Sequence, residues 1–163
     1  MSSKGTWIDL LAADRIVMLV YPDPRDAVLD AAARLLSGGS PTLTPAIADG
    51  LRRREQIGST AIGRGVAIPH CRSNAYSAPR AAFMRLAHPI DFAANDGEPV
   101  DLLFAMCVPE DLAQQHLQTL SELAERFADA GFREALRDAP DIASLRALLL
   151  ATDDLAERRE VAQ

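Results

Sequence analysis

The spacing of apolar residues changes character along this chain, and the changes predict its elements. Residues 15–20, RIVMLV, form a short apolar run that fits a strand or a helix end, and periodicity does not decide between them. Tyr21-Pro22-Asp23-Pro24 breaks it. Pro24 then suits the first position of a helix, and Val28, Leu29, Ala32, Leu35 and Leu36 recur at helical spacing until Gly38-Gly39. Thr44-Pro45 predicts a second helix start, carrying Ile47 and Leu51 and ending in Arg52-Arg53-Arg54, cations suited to a helix C-terminus. Short β segments follow at 60–62, 66–68, 81–86 and 100–108. The last, VDLLFAMCV, is apolar almost throughout and reads as a strand buried on both faces. From near Asp111, Leu117, Leu120, Leu123, Ala124 and Phe127 form the stripe of a long helix, and segments 132–138 and 141–150 are again helical. The sum is an α/β (α+β) chain, a mixed central β-sheet flanked by helices. A single domain over residues 1–152 is expected, with 153–163 as a solvated, frayed tail.

Composition narrows the setting. At 163 residues and 48% apolar content, the chain can bury a core without disulfides. Its two cysteines, Cys71 and Cys107, form no CxxC and no metal-ligand cluster, which suits a reducing compartment. No run approaches the ~18 apolar residues of a membrane span, and the N-terminus is not a secretory signal, so a cytoplasmic location is expected. The net charge of −6 argues against nucleic acid and favours a basic protein partner.

Candidate chemistry centres on histidine. His88 precedes Pro89, which points to an extended loop position with no role. His116 continues the apolar stripe of the long helix through Leu120, Leu123 and Phe127; on spacing alone, a half-buried ring bonded to a backbone carbonyl is the simpler reading. His70 follows Pro69, which fixes φ and offers no N–H, and Gly63 and Gly65 permit positive φ and close approach. A ring in such a frame is either a turn residue or a rigidly held nucleophile. GRG followed by a strand, with no GK[ST] and no GxGxxG opening a helix, is no nucleotide loop. HExxH, Cys/His metal spacing and GxSxG are absent from the sequence, so no metal or cofactor is expected.

Two long stretches carry a family resemblance. RREQIGSTAIGRGVAIPH resembles the phosphohistidine signature of enzyme IIA proteins of the fructose/mannitol and nitrogen-regulatory class, which belong to the bacterial phosphoenolpyruvate-dependent phosphotransferase system. EPVDLLFAMCVPED, followed by HLQTLSELAERF, resembles that family's second block. The form GSTAIG is most similar to the nitrogen-regulatory branch. The resemblance implies the phosphotransferase/anion-transport-like fold. It places His70 on the phosphoacceptor, phosphorylated at its tele nitrogen, His116 on the second active-site histidine, and Arg54 on the arginine before the family's glutamate. It further implies a histidine phosphocarrier protein as donor. The output is either regulation of targets such as kinases or transporters, or passage of phosphate to the cysteine of a separate enzyme IIB. Cys71 departs from the glycine common in the family, and is expected as an exposed thiol on the turn beside His70. Two other classes compete: an interaction module of the same fold that transfers nothing, and a Cys-His hydrolase using Cys71 or Cys107.

Overall fold

The computed structural model describes residues 7–19 and 24–150; the 21–23 breaker and the 153–163 tail lie outside the described residues. Six strands form one sheet: β1 (Ile16–Leu19), β2 (Ala61–Gly63), β3 (Val66–Ala67), β4 (His70–Arg72), β5 (Arg80–Ile90) and β6 (Val100–Val108). Five helices flank it: α1 (Arg25–Ser37), α2 (Leu43–Ile57), α3 (Ala113–Ala128), α4 (Ala130–Asp138) and α5 (Ile142–Leu150). Residues 16–19 of the 15–20 run are thus resolved as a strand. The strand order is β1-β5-β6-β3-β2, with β4 also on β6. β5 and β6 pair antiparallel, as do β2 and β3, while β1 runs parallel to β5 and both β3 and β4 run parallel to β6. The sheet is mixed, as expected.

Strand β6 organises two cores by its alternation. Leu103, Ala105 and Cys107 face a layer built on α1 and α2, with Val28, Leu29, Leu36, Ile47 and Leu51. Leu102, Phe104, Met106 and Val108 face the opposite layer, with Leu123 and Phe127 of α3, Phe132 and Leu136 of α4 and Leu145 and Leu149 of α5. Burial on both faces explains why β6 is apolar almost without interruption. Arginines close the helix ends on the second side. Arg133 donates to the carbonyls of Phe127 and Ala128, and Arg85 to those of Leu136 and Ala139. The terminal carbonyls of α3 and α4, unpaired within their own helices, gain partners that way.

Several local expectations are corrected. The second helix begins at Leu43, not at the Thr44-Pro45 pair, because Ser40 Oγ accepts from the Leu43 N–H one turn earlier. Pro45 still falls among the first helical positions, where a missing N–H removes nothing. That helix runs on to Ile57, past the three arginines. Leu117 and Ala124 are not in the buried stripe of α3: Leu117 is 65% exposed. His88 lies in β5, not in a loop, although it is exposed. Pro89 is tolerated there because the β5–β6 ladder is interrupted between Arg85 and Ile90, so no sheet bond needs its N–H.

The β2–β3 connection shows why two glycines stand where they do. Arg64 and Gly65 have φ of 57° and 81°, the paired positive values of a tight hairpin turn. The Gly65 carbonyl accepts from both Asp101 and Leu102 N–H, and a Cβ on Gly65 would fall 2.5 Å from the Arg137 guanidinium, which is bonded to Asp101. Just before β2, the buried Glu55 carboxyl accepts from Thr60 at both its N–H (2.8 Å) and its hydroxyl (2.7 Å), tying the end of α2 to the strand that follows. Replacing Thr60 with Val keeps the shape and removes one donor from this buried carboxyl. It should lower the unfolding free energy by about 1–3 kcal/mol, read from the urea midpoint at unchanged m-value. A midpoint equal to that of the parent would mean the pair does not hold this junction.

Candidate functional site

β3 and β4 lie end to end along β6, and the site grows out of the interruption between them. Val66 and Ala67 pair with Leu102 and Leu103; His70, Cys71 and Arg72 pair with Met106, Cys107 and Val108. Between the two runs, Ile68 N–H turns away to the Thr60 carbonyl, while the Pro69 carbonyl accepts from Met106 N–H at 2.9 Å. The Ile68 carbonyl is left for the His70 side chain, whose Nδ1 lies 2.7 Å from it. A carbonyl can only accept, so Nδ1 carries the ring proton and Nε2 holds the lone pair. The ring that the sequence left between turn residue and nucleophile is a strand residue, held by a backbone contact with its second nitrogen free.

Alternation along β4 sends Cys71 into the α1/α2 core and His70 and Arg72 to the other face. That face is where α3 brings His116. The two imidazole rings stand 5.0 Å apart between centroids, inclined by 56°. His116 is only 5% exposed, yet its Nδ1 is buried without a hydrogen-bond partner. The carbonyl-bonded structural role expected from spacing alone is therefore not the one this ring has.

Both rings are biased toward the neutral form. Burial lowers His70 below the ordinary histidine range, and Arg54 and Arg72 lower it further; the Ile68 carbonyl and Glu55 act in the opposite sense. His116 is pushed down to about 4 by burial first, then by His70 and Arg72. Arg54 sits in the last turn of α2, half-exposed, and donates to the Gly58 carbonyl at 2.7 Å. Its neighbours are committed elsewhere, Arg52 to Asp30 and Arg53 to Asp49. Of the three adjacent arginines, Arg54 is the one whose charge bears on His70. Arg72 is the residue that sequence reasoning missed. The signal was the i, i+2 spacing from His70, invisible while 70–72 was read as a turn.

Cys71 is corrected outright. It is a buried residue of β4, not an exposed turn thiol, because its side chain faces the core beneath α2. Cys107 faces the same core. Neither sulfur shares a face with the histidine pair, which removes the Cys-His hydrolase. Beside His116 lies a depression of about 310 Å³, lined mainly by Leu10, Pro79, Met106, Val108 and Leu112. Among the described residues there is no group of three or more His, Cys, Asp or Glu able to hold a metal ion, and no helix is long and apolar enough to cross a membrane.

The fold that carries this site is shared with known proteins. The family described as "Phosphoenolpyruvate-dependent sugar phosphotransferase system, EIIA 2" matches residues 9–151. The nitrogen regulatory protein of Pseudomonas aeruginosa is 38% identical over 137 residues, 83% of this chain and 89% of that protein. A fructose-specific EIIA component from Haloferax volcanii is 42% identical over 91 residues, 56% of this chain and 59% of that one. The crystal structure of the nitrogen regulatory protein IIA-Ntr from Neisseria meningitidis superposes with a TM-score of 0.79 at 35% identity, covering 87% of this chain and 97% of that one.

The downward shifts have a consequence for stability. A histidine held neutral in the fold takes up its proton less readily than in the unfolded chain. Its contribution is complete above the ordinary value of ~6.5 and is lost as pH falls from there toward about 4 for His116. Unfolding free energy should therefore decline between about pH 7 and about pH 5, with a slope of at most ~1.4 kcal/mol per pH unit from this ring. His116→Gln, which cannot titrate, should flatten the decline; an equal slope in parent and variant would refute the assignment.

Proposed function

Starting from a chain that belongs to the EIIA 2 family of the phosphoenolpyruvate-dependent sugar phosphotransferase system, we propose that it accepts a phosphoryl group on His70 from a histidine phosphocarrier protein. The observation that carries this reading is the 2.7 Å contact between His70 Nδ1 and the Ile68 carbonyl. It commits one nitrogen as donor and leaves the Nε2 lone pair as nucleophile. In the step itself, that lone pair forms a bond to phosphorus while the donor's N–P bond breaks. The bond's electrons return to the donor imidazole. Transfer of this kind is mostly positioning and electrostatics, and each feature of the site has a place in it.

Burial and two guanidiniums keep His70 neutral and nucleophilic at physiological pH. Arg54 offers a planar donor fork toward phosphoryl oxygens. Arg72, on the same face of β4 as His70, adds a second positive charge. His116 stays neutral; with Nδ1 enclosed, its other nitrogen is the one able to donate to the arriving group. It also stands in the first turn of α3, where the positive end of the helix dipole favours an anion and disfavours an imidazolium. The half-buried ring, with a depression of apolar and polar side chains beside His116, suits a protein donor that must bring its own histidine within reach. Ile57 and Leu117 are exposed apolar side chains on the helices that carry Arg54 and His116. In this reading the protein works in the cytoplasm, and association with the carrier is transient and salt-sensitive.

The output proposed is regulatory, as the names of the nitrogen regulatory relatives suggest: the phosphorylated and free forms, differing by about two charges at one surface point, dock different targets such as kinases or transporters. The fructose-specific relative favours a second reading, passage of the phosphoryl group to an enzyme IIB cysteine. Incubation with phosphoenolpyruvate, the general phosphotransferase enzyme and the phosphocarrier tests the first step. Intact mass should show acid-labile gain of one phosphoryl group, and none in His70→Ala. Undiminished labelling of His70→Ala would sink the proposal. His116→Ala and Arg54→Ala should each keep the fold but slow single-turnover transfer by about 10²–10³-fold. Addition of an enzyme IIB then separates the outputs: the regulatory reading expects a long-lived phosphorylated form, the sugar-specific one rapid loss to the IIB cysteine.

A further inference from the structure

Cys71 and Cys107 are register partners across the parallel β4–β6 junction. Both belong to the core cluster beneath α1 and α2, so their sulfurs leave the sheet on the same face from adjacent positions. Both are free thiols, 5% and 2% exposed. The two thiols are hydrogen-bonded to each other. That bond, with burial, pushes Cys71 up, while the same bond, followed by Ser73 and Arg80, pulls Cys107 down despite its burial. Of the two, Cys107 is the more readily deprotonated. Phosphoryl transfer uses neither sulfur, but the backbone joins both to the site. Cys71 follows His70, and Cys107 follows Met106, the register partner of His70.

We propose that Cys71 and Cys107 are an oxidative modification site: they close to a reversible disulfide that displaces His70 and slows its phosphorylation. The part concerning His70 rests on the function proposed above; the cross-link itself does not. Neighbouring strands stand about 4.8 Å apart, inside the Cα separation of about 4.4–6.8 Å that a disulfide spans, so the register of β4 and β6 permits the bond. The Cβ atoms of two register partners project side by side, and closure must turn them toward each other to about 3.8 Å, which twists the Cys71 backbone. Little slack exists on the helix side, because α2 meets β4 through Gly50, where even a Cβ would lie 3.1 Å from that of Cys71. The strain passes along β4 to His70, and a misplacement of about 1 Å at a reacting group can slow a reaction about 10²-fold.

The oxidant must be small to reach so enclosed a pair, and hydrogen peroxide fits. The Cys107 thiolate attacks one peroxide oxygen; the O–O bond breaks, hydroxide leaves, and Cys107 becomes a sulfenic acid. The Cys71 sulfur then attacks the Cys107 sulfur, its proton leaves, and the S–O bond breaks with loss of a second hydroxide. With the protons of the two original thiols, the hydroxides become two waters. Two thiols are oxidised, one peroxide is reduced, and a dithiol reductant restores the thiols.

The test treats the full-length protein with hydrogen peroxide, removes the excess, and reads two properties separately. Non-reducing peptide mapping should find Cys71 linked to Cys107, with intact mass lower by two hydrogens. Single-turnover transfer from the phosphocarrier should be slower by about 10–10²-fold and should recover after dithiothreitol. Cys71→Ala and Cys107→Ala are made in parallel, so that one suffices if the other does not fold. Either should transfer at the parental rate and be insensitive to the same treatment. Thiols that remain fully alkylatable after unfolding, or a sulfinic acid in place of the linked peptide, overturn the site. A linked protein that transfers at the reduced protein's rate overturns its effect on His70. If no form of the protein accepts a phosphoryl group, the function proposed above fails instead, and the peptide map still decides the cross-link.

Discussion

The arrangement depends on one constraint: a proline in the strand that carries His70. Pro69 has no N–H to give, so the edge of β6 cannot be covered by one continuous strand. β3 stops at Ala67 and β4 starts at His70. The ladder survives because β6 needs an acceptor at that point, and the Pro69 carbonyl accepts from Met106. The Ile68 carbonyl lies outside the β6 ladder and is open to a side-chain donor. His70 supplies one through Nδ1. A single backbone irregularity thus fixes the ring's position, its tautomer and the face it presents. No second residue is needed to orient the imidazole.

The electrostatics around that ring follow from a second separation of roles. Several charges of α2 are engaged in holding the scaffold. Glu55 secures Thr60, and Arg52 and Arg53 pair with aspartates. Arg54 is half-exposed and Arg72 exposed, and the charge of each acts on His70. A chain of net charge −6 therefore carries a locally positive site. The imidazoles within it are kept neutral by burial, with the guanidiniums adding to the effect. Neutral rings and fixed cations are the combination an incoming dianion needs, since the rings supply lone pair and N–H while the guanidiniums supply charge.

Most of this fold was legible because burial on two faces writes itself plainly into a sequence. β6 and α1 were read almost to the residue, and the two layers followed from the helical stripes. The positive φ expected near Gly63 and Gly65 is present, in a hairpin turn shared with Arg64. What stayed hidden was whatever depended on pairing. β4 is three residues long and has no alternation of its own to detect; only its register with β6 makes it a strand. Missing it concealed Arg72 and put Cys71 on the wrong side of the sheet. His116 shows the converse: its place in an apolar stripe was correct, but the stripe could not tell that the nearest polar neighbour would be another histidine.

The burial of Cys71 bears on why a larger residue is accommodated beside the nucleophile. A side chain at position 71 points at α2, so its size must be absorbed there. Gly50 absorbs it: the helix has no Cβ where the Cys71 sulfur needs room. Residues 50 and 71 therefore act as one packing unit, and α2 continues from Gly50 to Arg54 within about one helical turn. The helix that seats the strand behind His70 also delivers the guanidinium beside it. Any change in the separation of α2 and β4 moves His70 and Arg54 relative to each other, and the proposed transfer, which works by positioning, is sensitive to that distance. The thiol core and the histidine pair face opposite sides of the sheet, yet they are joined through the same two elements.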